Sequence, residues 1–263
     1  MQSFVIIGGG IGFVFLMTCL GAATVFLFRR TSPGKYQQIF LGFAAGVMIA
    51  ASVWSLLIPA IEEAESQGLI GWIPAACGFV LGVLFLLGLD RLIPHIHPMS
   101  NVKEGLESKS KRNTLLIFAV TLHNIPEGMA IGLAFALAAQ RGGDSTMYMP
   151  AIALALGIGI QNFPEGAAIS LPLLQEGVSS RKAFGLACLT GAVEPFFAVI
   201  AVLLAMWIAP VMPWLLSFAA GAMIYVVIEE LIPEAQLGEH SHVGTLSVMA
   251  GFLLMMILDV ALG

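Results

Sequence analysis

At 263 residues, 59% hydrophobic and 10% charged, with a mean hydropathy of +0.96, the chain lies far outside the composition of soluble globular domains. A formal net charge of −5 with no basic, aromatic-rich stretch excludes a nucleic-acid binder, and three cysteines without CxxC spacing exclude a disulfide framework or zinc ribbon. What remains is an all-α membrane protein in contact with the lipid bilayer over most of its length.

Runs long enough to cross a hydrocarbon core of about 30 Å are predicted near residues 4–28, 38–63, 71–94, 113–138, 149–174, 183–208, 211–235 and 243–262. These make eight transmembrane helices in one polytopic unit over residues 1–263. The first lacks a basic stretch before it and is followed at once by Arg29 and Arg30, so it reads as a retained helix rather than a cleaved signal. The segment "APVMP" marks a short turn between the sixth and seventh. Cys19, Cys77 and Cys188 fall inside spans and read as small packing residues.

Positive charge near helix ends stays on the cytoplasmic side. With both termini outside, Arg29, Arg30, Lys35, Arg91, Lys103, Lys109, Lys111, Arg112, Arg181 and Lys182 all fall inside, and only Arg141 falls outside. The segment at about 95–112 then becomes a cytoplasmic loop, and the chain is expected in a plasma or bacterial inner membrane.

Two internal similarities cut across the helices. A shift of 38 residues lays "HNIPEGMAIGL" at His123 on "QNFPEGAAISL" at Gln161, in the consecutive helices four and five. Asn, Pro and Glu are residues that membrane helices otherwise omit, so the match is not a product of a small alphabet. "FAAGVMI" at Phe43 and "FAAGAMI" at Phe218 pair helices two and seven, and "LIP" recurs at Leu57 and Leu231 after a one-residue slip. Each pair runs in opposite directions. This predicts inverted repeats, helices 1–3 related to 6–8 and helix four to five, a design that puts the substrate site near mid-bilayer.

His123 and Glu127, and likewise Gln161 and Glu165, are spaced to lie on one helix face with Cβ atoms about 5–6 Å apart. Asn124 and Asn162 lie about 100° round from the first residue of each pair. Helix six adds Glu194, and no basic residue lies at that depth. An ionised residue at a helix centre costs about 2.5–3.5 kcal/mol, and a bound divalent cation offsets that for several acids at once. Pro126, Pro164 and Pro195 adjoin the three acids and are expected to free the carbonyls of Leu122, Ile160 and Gly191, tolerated where backbone lines a cavity.

One imidazole with amides and carboxylates, and no thiolate, suits Zn²⁺, Fe²⁺, Mn²⁺ or Co²⁺. His123, Glu127, Gln161 and Glu165 make one four-coordinate set. Asn124, Asn162 and Glu194, with the two shared glutamates, make a second that takes either a metal or protons.

On these residues the chain resembles, over essentially its whole length, the ZIP (Zrt/Irt-like) family of divalent-metal transporters, most closely its GufA-like branch. The resemblance implies uptake of Zn²⁺, and of Fe²⁺, Mn²⁺ or Cd²⁺, into the cytoplasm through a binuclear centre on helices four, five and six. It also implies a homodimer and an elevator-like motion of helices one, four, five and six against the rest. Many family members carry histidine where this chain has Gln161, and an amide oxygen is the weaker zinc ligand. Metal is then cargo, and no catalytic cofactor is expected.

Peripheral groups fit the same path. Glu62 and Glu63 end helix two on the outside, where they either attract cations or are simply solvated. Glu229 and Glu230 lie in the inner half of helix seven, and by resemblance one of them approaches the site. His95, His97, Glu239, His240 and His242 lie in cytoplasmic loops, either receiving or sensing metal or merely solvated. A cation-selective channel is the nearer alternative. An intramembrane metal-dependent hydrolase is the more remote, because HExxH and GxSxG are both lacking; an enzyme is not expected.

Overall fold

The structure is a computed structural model that describes residues 2–27, 34–92, 95–96, 103–104, 112–140, 145–175, 177–235 and 242–262. Among the described residues seven helices are long and apolar enough to cross a membrane: α1 (Ser3–Phe26), α2 (Gln38–Ser66), α3 (Trp72–Leu89), α5 (Thr146–Leu174), α6 (Ser180–Leu203), α7 (Ala209–Leu231) and α8 (Val243–Leu262). Between α3 and α5 runs a further 29-residue helix, α4 (Arg112–Gln140). At about 1.5 Å per residue it is some 44 Å long. A two-residue antiparallel ladder, β1 (His95–Ile96) with β2 (Lys103–Glu104), pairs His95 with Glu104. It is the one departure from helix in a loop that otherwise lies outside the described residues.

Burial separates an inner set from an outer one. In their most apolar stretches, 67% of α2 and α5 and 61% of α7 is buried, against 22% of α1 and 17% of α8. The outer helices turn large apolar side chains outward at helical spacing, as α8 does with Leu246, Met249, Leu253, Ile257 and Val260. Such a stripe would drive aggregation in water, but in hydrocarbon it costs nothing. Cys77 is exposed on α3, so only the half-buried Cys19 and Cys188 fit a packing role.

Lipid offers no hydrophobic drive between helices, so close backbone approach at small residues holds them together. The most extensive contacts pair α2 with α8, α3 with α7, α1 with α5 and α4 with α6. Glycines make each approach possible. A Cβ on Gly46 would strike the Val248 carbonyl oxygen and one on Gly251 that of Phe43; a Cβ on Gly221 would strike Phe79 and one on Gly82 that of Phe218. The α2–α8 and α3–α7 joints are therefore built alike, with the "FAAG" phenylalanine carbonyl against a glycine in both.

α2 and α7 share a second feature. Each widens to a π-turn just before a proline, at Ser52–Leu57 ahead of Pro59 and at Val227–Leu231 ahead of Pro233. The N–H of Ile58 reaches back five residues to Val53, and that of Ile232 reaches Val227. A proline N–H is missing from the ladder in both places, and the wide turn accommodates the gap. The first turn has six residues and the second five, which accounts for the one-residue slip between the "FAAG" and "LIP" matches.

Candidate metal-transport site

α4 and α5 carry their prolines without interruption: α4 is continuous through Pro126, and α5 is continuous from Met149 to Gln175 through Pro164. Neither proline stops its helix, although each leaves the carbonyl four residues back, that of Leu122 or Ile160, without its ladder N–H. α6 does break. Its first half ends at Gly191, and Val193–Leu203 starts afresh with Glu194 in its first turn. The difference lies four residues before each proline, where α6 has Gly191 and the others have Leu122 and Ile160. Glycine is the least costly residue to release from a helix. Pro195 then sits at the start of the new half-helix, where an N–H is dispensable.

This break aims Glu194 at α5. Asn162 Nδ2 donates to Glu194 Oε2 at 2.6 Å and to Thr18 Oγ1 of α1 at 3.1 Å. Gln161 Nε2 donates to Glu127 Oε1 at 2.6 Å, joining α5 to α4. Asn124 Nδ2 donates to the backbone oxygen of Thr190, at 3.2 Å, so the carbonyl engaged at the α6 break is that of Thr190 rather than Gly191. Two glycines bring the backbones this close. Gly128 faces the Glu194 backbone, and Gly166 faces that of Thr18 and Ala22.

Asn124, Glu127, Gln161, Asn162 and Glu194 are all at least 98% buried. A carboxylate accepts only, so each amide turns its N–H to an acid or a carbonyl. The remaining oxygens, Asn124 Oδ1, Glu127 Oε2, Gln161 Oε1, Asn162 Oδ1 and Glu194 Oε1, have no hydrogen-bond partner. All five are acceptors. Leaving a buried polar atom unsatisfied costs about 1–3 kcal/mol, and here the deficit has one sign: the centre lacks donors or a cation. No Lys or Arg occurs in α1, α2, α3, α5, α7 or α8 to supply it.

Glu127, Gln161, Glu165 and Glu230 line a cavity of about 50 Å³ between α2, α5 and α7. Glu230, the fourth residue of the α7 wide turn, is buried, while Glu229 is exposed. Of the two acids considered for the inner path, only Glu230 reaches the cavity. His123 lies one turn before Glu127 on α4, but its side chain is outside the described residues. Among the described residues no three His, Cys, Asp or Glu side chains are gathered closely enough to hold one ion; the gathering present is of acids with amides.

The outlying residues divide. Glu62 is exposed and lines a second cavity, and Glu63 Oε1 accepts from Gln67 Nε2 at 3.1 Å on the outer turn of α2. His242 is exposed before α8. His95 belongs to β1 with its side chain outside the described residues, and His97, Glu239 and His240 lie outside them altogether. Sequence reasoning missed Thr18 and Asp259. A hydroxyl amid the apolar α1 and a lone acid near the end of the apolar α8 are the signals that could have found them.

A polytopic helical bundle with a buried, cation-deficient centre opening to a cavity is the architecture of a membrane transporter. The chain belongs to the ZIP family: the family model described as ZIP Zinc transporter matches residues 101–259. It is 39% identical over 249 residues to Zinc transporter GufA of Myxococcus xanthus, covering 94% of each chain. Against Zinc transporter ZIPB of Bordetella bronchiseptica it is 39% identical over 263 residues, covering 99% of this chain and 82% of the other. The human Zinc transporter ZIP11 is 36% identical over 336 residues, with 97% and 96% covered. The members of this family are transporters, not enzymes.

Proposed function

We propose that this protein moves divalent transition-metal ions, zinc foremost, across the membrane into the cytoplasm. The observation that carries the reading is the set of five buried oxygens with no donor, on α4, α5 and α6. His123, Glu127, Gln161 and Glu165 bind one ion; Asn124, Asn162 and Glu194 share the two glutamates to hold a second. Zinc comes first because the relatives are named zinc transporters and because imidazole with oxygen donors suits it. Fe²⁺, Mn²⁺, Co²⁺ and Cd²⁺ are further substrates.

α4 is the eighth span, both termini lie outside, and helices 1–3 repeat as inverted 6–8. The like-built α2–α8 and α3–α7 joints and the paired wide turns support that repeat. The protein works as a homodimer in the cell membrane.

A carrier is favoured over a channel by what separates the two cavities. Along α2, Ala50 and Ala51 lie between them; along α4, Ala130, Ile131 and Leu133; along α5, Leu154, Ala155 and Ile158, every one buried. This apolar layer closes the centre towards one end while the Glu230 cavity meets it from the other. In zinc uptake by proteoliposomes, wild-type flux is expected to saturate, with Glu165→Ala and His123→Ala at least about tenfold slower. Equal uptake by all three proteins would refute the site, and flux rising without limit would favour a pore.

A further inference from the structure

The second cavity, of about 290 Å³, opens at the other end of the bundle. Its wall comes from the C-terminal halves of α2 and α4, the start of α5, and Asp259 near the end of α8. Among the described residues, the ionisable groups lining it are Glu62 and Asp259, both acids. Asp259 is 8% exposed. Ser55 Oγ donates to its Oδ1 at 2.5 Å, and its Oδ2 has no hydrogen-bond partner. One hydroxyl is a thin reason to keep a carboxylate at the buried edge of a helix otherwise given over to lipid.

The wide turn of α2 puts Ser55 there. Ser55 and Glu230 are each the fourth residue of their wide turns, and each lines the cavity at its own end of the bundle. The sequence spacing of two acids runs parallel. Asp259 follows Gly251 by eight residues, as Asp90 follows Gly82, and those two glycines seat the matching Phe43 and Phe218 carbonyls. An acid thus follows the joint glycine at the same spacing in both stretches of sequence.

Volume separates what the two cavities hold. A divalent ion with about six waters at about 30 Å³ each needs some 180 Å³. The cavity at Asp259, about 290 Å³, admits it whole, and the cavity at Glu127, about 50 Å³, is much the tighter of the two. Oxygen donors without imidazole or thiolate bind such an ion weakly and with little discrimination.

We propose that Asp259, with Ser55 and Glu62, is a separate docking site where a hydrated divalent cation is held before it loses water and passes to the central acids. The sequence of the two sites rests on the transport reading above; binding at Asp259 does not.

Mn²⁺ is the probe, with the free ion read by electron paramagnetic resonance on full-length protein in detergent. With the central site removed by Glu127→Ala and Glu165→Ala together, one weak Mn²⁺ site is expected to remain. Adding Asp259→Asn, which keeps an oxygen for Ser55, is expected to weaken it at least about tenfold. No residual binding, or residual binding indifferent to Asp259→Asn, would overturn the proposal. In cells expressing the otherwise unaltered chain, Asp259→Asn and Ser55→Ala are each expected to raise the apparent KM for zinc several-fold with the maximal rate within about twofold. A lowered maximal rate at unchanged KM would count against docking. Absence of uptake by the wild type would instead refute the transport reading and leave the Mn²⁺ result to stand or fall by itself.

Discussion

Zinc uptake by Glu127→Gln is expected to fall at least about 100-fold, while the purified variant unfolds a few degrees above the wild type. The two effects have one cause. Glutamine keeps the volume of Glu127 and an oxygen able to accept the Gln161 amide at 2.6 Å, so the helix contact survives. What changes is a second oxygen with no donor, replaced by an amide N–H₂ that can donate to the unsatisfied oxygens around it. Relief of about 1 kcal/mol raises the unfolding temperature of a chain this size by about 2–4 °C. Uptake assays and thermal unfolding in metal-free detergent check the pair of outcomes. Normal uptake would remove Glu127 from the site, and lost uptake with a lower unfolding temperature would make it a structural prop.

The second large effect is on packing. Gly128→Ala and Gly166→Ala are each expected to lower the unfolding temperature by about 6 °C or more, equivalent to about 2–3 kcal/mol, and to slow transport. Within a helix, alanine is ordinarily better than glycine by about 0.5–1 kcal/mol, so the sign is reversed by contact alone. A Cβ on Gly128 would collide with the backbone of Glu194, and one on Gly166 with that of Thr18. Both collisions are with main chain, which cannot swing aside. Gly8→Ala in α1 is the control, because nothing lies within 4 Å of the added carbon, and it should be neutral or stabilising. Unfolding temperatures of Gly128→Ala and Gly8→Ala that coincide would show that α4 and α6 do not meet as described.

How much of this was legible beforehand depends on whether a feature has a local cause. The spans follow from apolar length, and the pairing of α4 with α5 through Glu127 and Gln161 follows from a motif spaced for one helix face. Why one proline breaks its helix and two do not has a local cause too, because Gly191 stands four residues before Pro195. The wide turns of α2 and α7 showed only as a one-residue slip between two repeats, and nothing local distinguishes such a slip from drift. Thr18 and Asp259 stand out only as polar residues on apolar helices, and what they bind is hidden for another reason. The partner, Asn162 in one case and Ser55 in the other, is 144 or 204 residues away. Such partnerships are set by how helices stack, which hydropathy does not encode.

The thin apolar layer between the two cavities has an electrical consequence. A voltage across a uniform membrane is spread over about 30 Å of hydrocarbon, but water entering the two acid-bearing cavities would confine the drop to the few side chains around Ala51, Ile131 and Ile158. The local field is correspondingly steeper. A unit charge crossing 100 mV exchanges about 2.3 kcal/mol with it, nearly all of it over that short distance. On the transport reading proposed above, the net charge that crosses this layer decides how strongly the cell's resting potential drives uptake.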